Sequence, residues 1–581
     1  MKKFACIFLS LLSLMTPSAS FGVTYANKEE MLTHLNVVKQ IFQSSYAPTD
    51  WKKAHFQWSI DNEIQRAIKE VESKPSMPLK EYRKILKRIV FSARDYHTSI
   101  SFLSTEGAYL PIKVKGVGEK YFISDIDRTH LTKSKYPFEI GDELVTFGGK
   151  PTHTVVKDLL AKESHNANEA TDKSLSELHL TLRLASMGFD VPSGNITLSV
   201  KSQTTKATKP YTIKWIYFPE KIKCADPSYA TSANNHQLHL NMLSQERLLK
   251  SHQLPTGRLM QNASFKSAFK GSSDQQLSFD LDHRNGFLPN LGEPTWSTSV
   301  TNPFRAYIFK HFDGRSIGFI RIPSYYSGYE ESLEKVAKEY FKLISHLQKN
   351  TDALIIDETN NSGGSVLFSF ALLSGLSDKP LDLTRERVRI TQFEVASALE
   401  DLELIEVFGD EVIIEAFDNI HGFKIDKDFV TGMKDYAKFV INQWNQGKRF
   451  SDHTYFFGLK KLKPHQSSRY TKPILMLVNE LSVSCGDLVP VILQENKRAT
   501  IFGADTCGAG GAVEVLSYKN PFGVEGISFT ASMGYKKDGT PIENHGSKPN
   551  IPYAITERDL TENMADYIQA VYNAIDKVLG K

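Results

Sequence analysis

A short apolar run joined by a turn to an amphipathic segment constrains this chain's architecture more than any other stretch. Ile474 to Val478 places five apolar residues in succession, the pattern of a strand buried on both faces. Leu488, Val491 and Ile492 then recur at helical spacing, so a helix follows, with Pro490 accommodated in its opening turn. Ser482 and Ser484 lie between the two. A hydroxyl there sits near free backbone N–H groups and the positive end of the helix dipole, where a developing oxyanion is stabilised. On this segment alone the plainer reading is a helix cap. Other parts of the chain must separate cap from nucleophile.

From about residue 301 to the end, strand and helix alternate, the mark of an α/β layer structure. Ile317 to Ile322 and Ala353 to Asp357 read as strands, and Leu333, Val336, Tyr340, Leu343 and Leu347 form a helical stripe between them. The polar turn Glu358 to Ser365 leads into an apolar helix. Beyond the serine turn come the strand Ala499 to Phe502, the glycine turn Cys507 to Gly511, an alternating stretch Ile527 to Tyr535, and a closing helix carrying Met564, Tyr567, Ile568, Val571 and Ile575.

The preceding half reads differently. From Lys28 to about Arg94 the period is helical, with stripes Met31, Leu35, Val38, Ile41 and Ile64, Ala67, Ile68, Val71. A β-rich region follows, including Leu110 to Val117, Tyr121 to Ile126, Ile196 to Val200 and Tyr211 to Trp215, with a helix around Val155 to Ala161. Residues from about 223 to 286 are rich in Ser, Asn, Gln, His and Lys, with few apolar alternations, as expected of an accessible linker or regulatory segment. The expected organisation is therefore a leader over 1–22, a helical unit over 23–99, a β-rich domain over 100–222, a linker over 223–286 and an α/β domain over 287–581.

At 581 residues the chain calls for about three to four domains. Its 41% hydrophobic and 23% charged content is that of a globular protein. A net charge of +4 without a dense basic block argues against nucleic acid as a partner. Lys2 and Lys3 precede the apolar run Phe4 to Met15 and small residues to Ser20, which reads as a secretory signal peptide, too short to span a membrane. An exported mature protein without an integral membrane segment is expected. It would keep Cys224, Cys485 and Cys507, too few for a disulfide framework, so free buried thiols are expected over a Cys485–Cys507 pair.

A nucleophilic serine needs a base, a group orienting that base, and oxyanion donors. Two glycine turns follow strands and can bring backbone N–H groups close to a carbonyl: Ser362-Gly-Gly364 and Gly508-Ala-Gly-Gly511. Neither is a phosphate loop, and a Gly-x-Ser-x-Gly elbow is absent. Among 17 histidines, His97 marks a helix-to-strand junction beside Asp95, and His545 lies two residues after Glu543. His236 and His239 lack a matching second pair, so zinc is discounted and no cofactor is expected.

Three stretches resemble the tail-specific, or C-terminal-processing, serine peptidases: Ile317–Ile322 with Ala353–Gly364, the Ser484-Cys-Gly-Asp487 turn, and Gly503 to Gly510. In that family the last motif carries a general-base lysine, and here Ala509 holds the position. A Ser/Lys dyad on that motif cannot operate. A secreted branch of the superfamily uses a Ser/His/Glu triad instead. The resemblance to it runs through Ala93–His97, Arg284–Pro289, Thr351–Asp357 with Gly363–Val366, Ser484–Leu488, Gly508–Gly511 and Ile542–Asn544. It implies Ser484 as nucleophile, His97 as base and Glu543 as the group orienting His97. Oxyanion donors would come from Gly363 or Gly364 and from Cys485.

The resemblance also implies a crotonase-like (ClpP-type) α/β catalytic domain and a homodimer acting on host proteins. Residues 235–283 would be an inhibitory segment removed by self-cleavage. Gly141 to Lys150 resembles the Gly-Asp-x-Leu core of PDZ domains. The competing expectations are an inactive PDZ-like peptide-binding scaffold and a small-ester acyl hydrolase.

Overall fold

The computed structural model describes residues 25–221, 286–325 and 332–580. The expected leader, Cys224, His236, His239 and the 235–283 segment lie outside the described residues. The N-terminal unit is four helices: α1 (Lys28–Ser45), α2 (Thr49–Phe56), α3 (Ile60–Glu72) and α4 (Leu79–Phe91). Met31, Leu35, Val38 and Ile41 of the first apolar stripe are all buried, as are Ile64, Ala67 and Val71 of the second. Strand β1 (Ser99–Phe102) follows. The sequence assigns it to the β-rich domain, but it hydrogen-bonds elsewhere.

The β-rich domain is built on β2 (Ile112–Val117), β3 (Lys120–Ile126), β4 (Glu143–Phe147), β5 (Asn195–Lys201) and β6 (Thr208–Lys214), in the sheet order β6-β5-β4-β3-β2. Helices α5 (Thr152–Glu163) and α6 (Glu169–Thr181) accompany it. Leu144, Val156, Leu159, Leu180 and Leu198 share one core. The described residues contain no helix long and apolar enough to cross a membrane.

The C-terminal half is organised on a seven-stranded sheet of β7 (Pro294–Ser297), β8 (Ala306–Lys310), β9 (Ser316–Arg321), β10 (Ala353–Asp357), β11 (Ile474–Val478), β12 (Thr500–Gly503) and β15 (Ile551–Pro552), in that spatial order. From β9 onward all neighbours are parallel. Parallel strands need covered faces, and side-chain alternation supplies them. Leu354, Ile356 and Met476 pack on one side with α7 (Leu333–Asn350) and α8 (Val366–Ser374). Ala353, Ile355, Leu475 and Leu477 pack on the other with Tyr567, Val571 and Ile575 of α10 (Ala565–Val578). Every residue of β10 and β11 is buried.

Helix α9 (Cys485–Glu495) begins directly after Ser484. It therefore starts earlier than expected, and Pro490 lies inside it rather than in its first turn. A hairpin-like pair, β13 (Val513–Leu516) with β14 (Val524–Thr530), completes the site region. Strand β1 pairs with β14, Ile100 opposite Ile527. Phe522, Val524, Ile527 and Phe529 join the core of the four N-terminal helices. The two ends of the chain thus form one packed body.

Candidate active site

Strands β10 and β11 are adjacent and parallel, so the turns leaving their C-terminal ends lie side by side, the usual place for a ligand in an open α/β sheet. Hydrogen bonds lace the two turns together. Asn360 N–H donates to Asn479 Oδ1 and Asn479 Nδ2 donates to Asn360 Oδ1, both at 2.8 Å. Val483 N–H donates to the Asn361 carbonyl at 2.8 Å.

This lacing separates the two serines. Ser482 is fully buried, and its hydroxyl donates to the Glu358 carbonyl at 2.8 Å. Ser484 is half-buried, with φ 59° and ψ −114°. A non-glycine residue with positive φ is strained, and such strain persists only where the surroundings impose it. Asp487 imposes it here. Its fully buried carboxylate accepts from Ser484 N–H at 2.8 Å, Thr506 Oγ1 at 2.5 Å, Gly508 N–H at 2.7 Å and Ala509 N–H at 3.0 Å. Burial pushes that carboxyl up to about 7 against the pull of these four donors. One side chain therefore ties the serine turn to the glycine turn that begins at Cys507. The spacing Ser484-x-x-Asp487 is a capping-box pattern, a signal that sequence reasoning could have used.

Gly363 (φ 83°) packs against the serine turn so closely that a Cβ would lie 2.6 Å from Ser484 Cβ and 2.7 Å from the Val483 carbonyl oxygen. Its own N–H donates to Asn361 Oδ1 at 2.8 Å. That engagement removes Gly363 from the expected oxyanion donors. Among the described residues, neither Gly364 nor Cys485 has an acceptor for its backbone N–H. The Cys485 thiol donates to the Gly364 carbonyl at 3.2 Å, and burial pushes it up to about 12. It is therefore a neutral thiol, not a competing nucleophile. Cys485 and Cys507 are both free and buried.

The docking of β1 on β14 places His97 beside Asp95, and its ring is hydrogen-bonded to neither Ser484 nor Glu543. Ser528 Oγ donates to the His97 carbonyl at 2.8 Å, and Ala47 N–H donates to the Thr530 carbonyl at 2.9 Å. Asp95 is fully buried. Its carboxylate accepts from His97 N–H at 2.9 Å, Tyr46 Oη at 2.9 Å and Thr530 Oγ1 at 2.7 Å. Burial works against its charge, but Lys52, His97 and two hydroxyl donors hold the carboxyl below its usual range. Both ring nitrogens of His97 are buried and, among the described residues, without a hydrogen-bond partner. Burial lowers its pKa, Asp95 opposes that, and Lys52 reinforces it. The ring is kept neutral, as a base must be.

Glu543 is fully buried on the turn after the strand Ser532–Tyr535, which pairs with Arg385–Val388. It is not hydrogen-bonded to His97. Its Oε1 accepts from Lys52 Nζ at 2.5 Å, and its Oε2 accepts from Gly510 N–H at 3.4 Å. Burial and the Asp95 charge push the carboxyl up to about 8, and Lys52 pulls against them. Sequence reasoning missed Lys52. Nothing distinguishes it from Lys53 in a polar helix. His545 is half-buried, and its Nδ1 contacts the Glu543 carbonyl at 3.1 Å. Among the described residues, the one histidine-and-carboxylate group compact enough for a cation is His311, Asp313 and Asp576. It belongs to the β8–β9 turn and α10, and Arg315 already reaches Asp313 at 2.6 Å.

The β-rich domain also touches the serine loop. Lys115 of β2 donates to Glu480 Oε1 at 2.7 Å and to Ser174 Oγ of α6 at 2.6 Å, and Thr171 Oγ1 donates to the Glu480 carbonyl at 2.7 Å. Burial opposes the charge on Glu480, but Lys115 and Ser174 hold its carboxyl below the usual range.

Comparison with known proteins accounts for this arrangement. Residues 316–553, which hold β9 to β15 and all three turns, match the sequence model of peptidase family S41, and residues 106–222 match a PDZ domain. A Chlamydia pneumoniae protein is 34% identical over 96% of this chain and 92% of its own length. The structure of mature CPAF complexed with lactacystin is 30% identical, covering 95% of this chain and 99% of that one, with a TM-score of 0.78. The chain belongs to peptidase family S41. It is a serine protease that hydrolyses peptide bonds in protein substrates. A carboxy-terminal-processing protease of Bartonella bacilliformis is 33% identical, but over only 16% of this chain. The expected PDZ and C-terminal peptidase folds are both present in this S41 chain.

Proposed function

We propose that this S41 peptidase is an endopeptidase using Ser484, His97 and Glu543 through an acyl-enzyme. The observation that carries the reading is the strained, half-buried Ser484 beside two N–H groups, of Gly364 and Cys485, that have no acceptor within the described residues. Ser484 Oγ attacks the scissile carbonyl as His97 takes its proton. The tetrahedral oxyanion is received by the N–H groups of Gly364 and Cys485. His97 then returns the proton to the leaving amine, and water, deprotonated by His97, releases the acyl group. Glu543, its Oε1 held by Lys52, stabilises the imidazolium once the His97 ring closes onto the carboxylate. Casein cleavage by the wild type against S484A, H97A and E543A tests this. Activity surviving in H97A would sink the assignment and bring His545 forward as base.

The same proposal includes export by the N-terminal leader, dimerisation, host proteins as substrates, and self-cleavage within residues 235–283. Support for the last is the composition shift between two ordered halves and the similarity to a structure of a mature form. If active protein and S484A both remain one intact chain, self-cleavage is ruled out. Fractionation, sedimentation and digestion of host extracts test the other three.

A further inference from the structure

An S41 site without its motif lysine still holds a buried lysine, brought from the other end of the chain. Lys52 of α2 is fully buried. An ammonium has three donors and no acceptor, and all three are used: Glu543 Oε1 at 2.5 Å, Asn544 Oδ1 at 2.6 Å and the Arg94 carbonyl at 2.7 Å. A nitrogen so saturated has no lone pair to offer, so Lys52 is not the base for Ser484. Its position is nonetheless informative. Gly510, which donates to the other oxygen of Glu543, directly follows Ala509.

Charge balance points the same way. Two buried carboxylates, Asp95 and Glu543, face one ammonium and one neutral imidazole. Burial and the Asp95 charge hold the proton on Glu543 up to about 8; once both acids are ionised the cluster is one positive charge short, and the imidazolium formed during acylation supplies that charge. Removing Lys52 would leave two carboxylates with no cation before His97 is protonated. Such a pair does not stay ionised in a buried site. Tyr46, His165 and Cys507 also face these charges. Burial raises the phenol and the thiol and lowers the imidazole, so all three are neutral.

We propose that Lys52 is a positioning residue of this peptidase: its ammonium fixes the Glu543 carboxylate and balances the paired acids. This deepens the Ser484/His97/Glu543 reading and rests on it. The test uses the full chain as wild type, K52M, K52R, S484A and H97A. It follows the pH profile of kcat/KM on a fluorogenic peptide, normalised to active sites by end-point fluorophosphonate labelling. In K52M both His97 and Glu543 hold their protons to higher pH, so the acid limb moves up, by about one unit, and the rate on the acid side of the limb falls about tenfold. K52R keeps the charge, so its limb stays within a few tenths of a unit of wild type while its rate falls. A purely structural role would lower the labelled fraction and leave the limb in place.

A K52M limb coincident with wild type overturns the proposal. If K52M does not fold, K52M/E543Q replaces the pair by neutral groups. Asp95 stays charged beside His97 in both variants, so loss of the ammonium should still move the acid limb of K52M/E543Q above that of E543Q. Coincident limbs overturn the proposal. Activity in S484A or H97A instead overturns the underlying triad, a distinguishable failure.

Discussion

Gly363 is where backbone geometry and catalysis are most tightly joined, and Gly363→Ala is the sharpest test of the site. Its φ of 83° is one cost, about 1–2 kcal/mol for an L-residue in the left-handed region. Contact is the other. The added methyl would lie 2.6 Å from Ser484 Cβ and 2.7 Å from the Val483 oxygen, both on the laced serine turn. Overpacking of this kind costs about 1–3 kcal/mol, so the total is about 2–5 kcal/mol. Gly539→Ala is the control, because Gly539 has φ 90° but nothing within 4 Å of its added Cβ. It should lose only the conformational part. Relief in Gly363→Ala must come from moving the 360–364 turn away from Ser484, which carries the Gly364 N–H with it. Loss of one oxyanion donor costs about 10²–10³ in kcat. Thermal unfolding and peptide kcat/KM should therefore both fall in Gly363→Ala, and only the first in Gly539→Ala. A Gly363→Ala enzyme that unfolds earlier but keeps its kcat/KM within a few fold would refute Gly364 as a donor. Unchanged unfolding would refute the packing itself.

Ser482→Ala deletes a hydroxyl bonded only to backbone and Asn479, so it should cost about 1 kcal/mol and leave fluorophosphonate labelling intact. Ser484→Ala should abolish labelling at little cost in stability, since it relieves no packing. Lys115→Met leaves Glu480, largely buried, without its cation. It should lower stability by about 1–3 kcal/mol and reduce kcat/KM, because Glu480 lies four residues before the nucleophile; melting and turnover measured together check this. The Glu543 carboxyl is raised in the fold above its ordinary value of 4.5. Its stabilising contribution is therefore fully present below about pH 4.5 and is lost as pH rises toward about 8. Glu543→Gln should flatten the fall of melting temperature across that window, and an unchanged slope would refute the assignment.

The elements were legible in the sequence because each strand and helix declares itself locally. Ile474–Val478 and Ala353–Asp357 carry unbroken apolar runs because both faces of a central parallel strand are covered. Ser484 could be singled out only through resemblance, since Ser482 and Ser484 are equivalent by local pattern. What separates them is the Glu358 carbonyl and the Asp487 carboxylate, groups that arrive from neighbouring turns. The apolar repeat Leu488, Val491 and Ile492 marks α9 but not its start, which lies at Cys485, where the Asp487 carboxylate holds the preceding Ser484 N–H. Lys52 was illegible altogether. A lysine beside another lysine on a polar helix has no local mark of burial, and its partners Glu543 and Asn544 lie nearly the whole chain away. The same separation gives the site its logic. Because β1 completes a sheet with β14, and α2 closes over Glu543, no fragment holding Ser484 alone can assemble its base or balance its buried acids. Catalytic competence here is a property of the packed ends, and a C-terminal half produced without the four-helix unit should show no turnover even where the α/β sheet survives, whereas a cut within residues 235–283 that leaves the two parts packed together keeps the site whole.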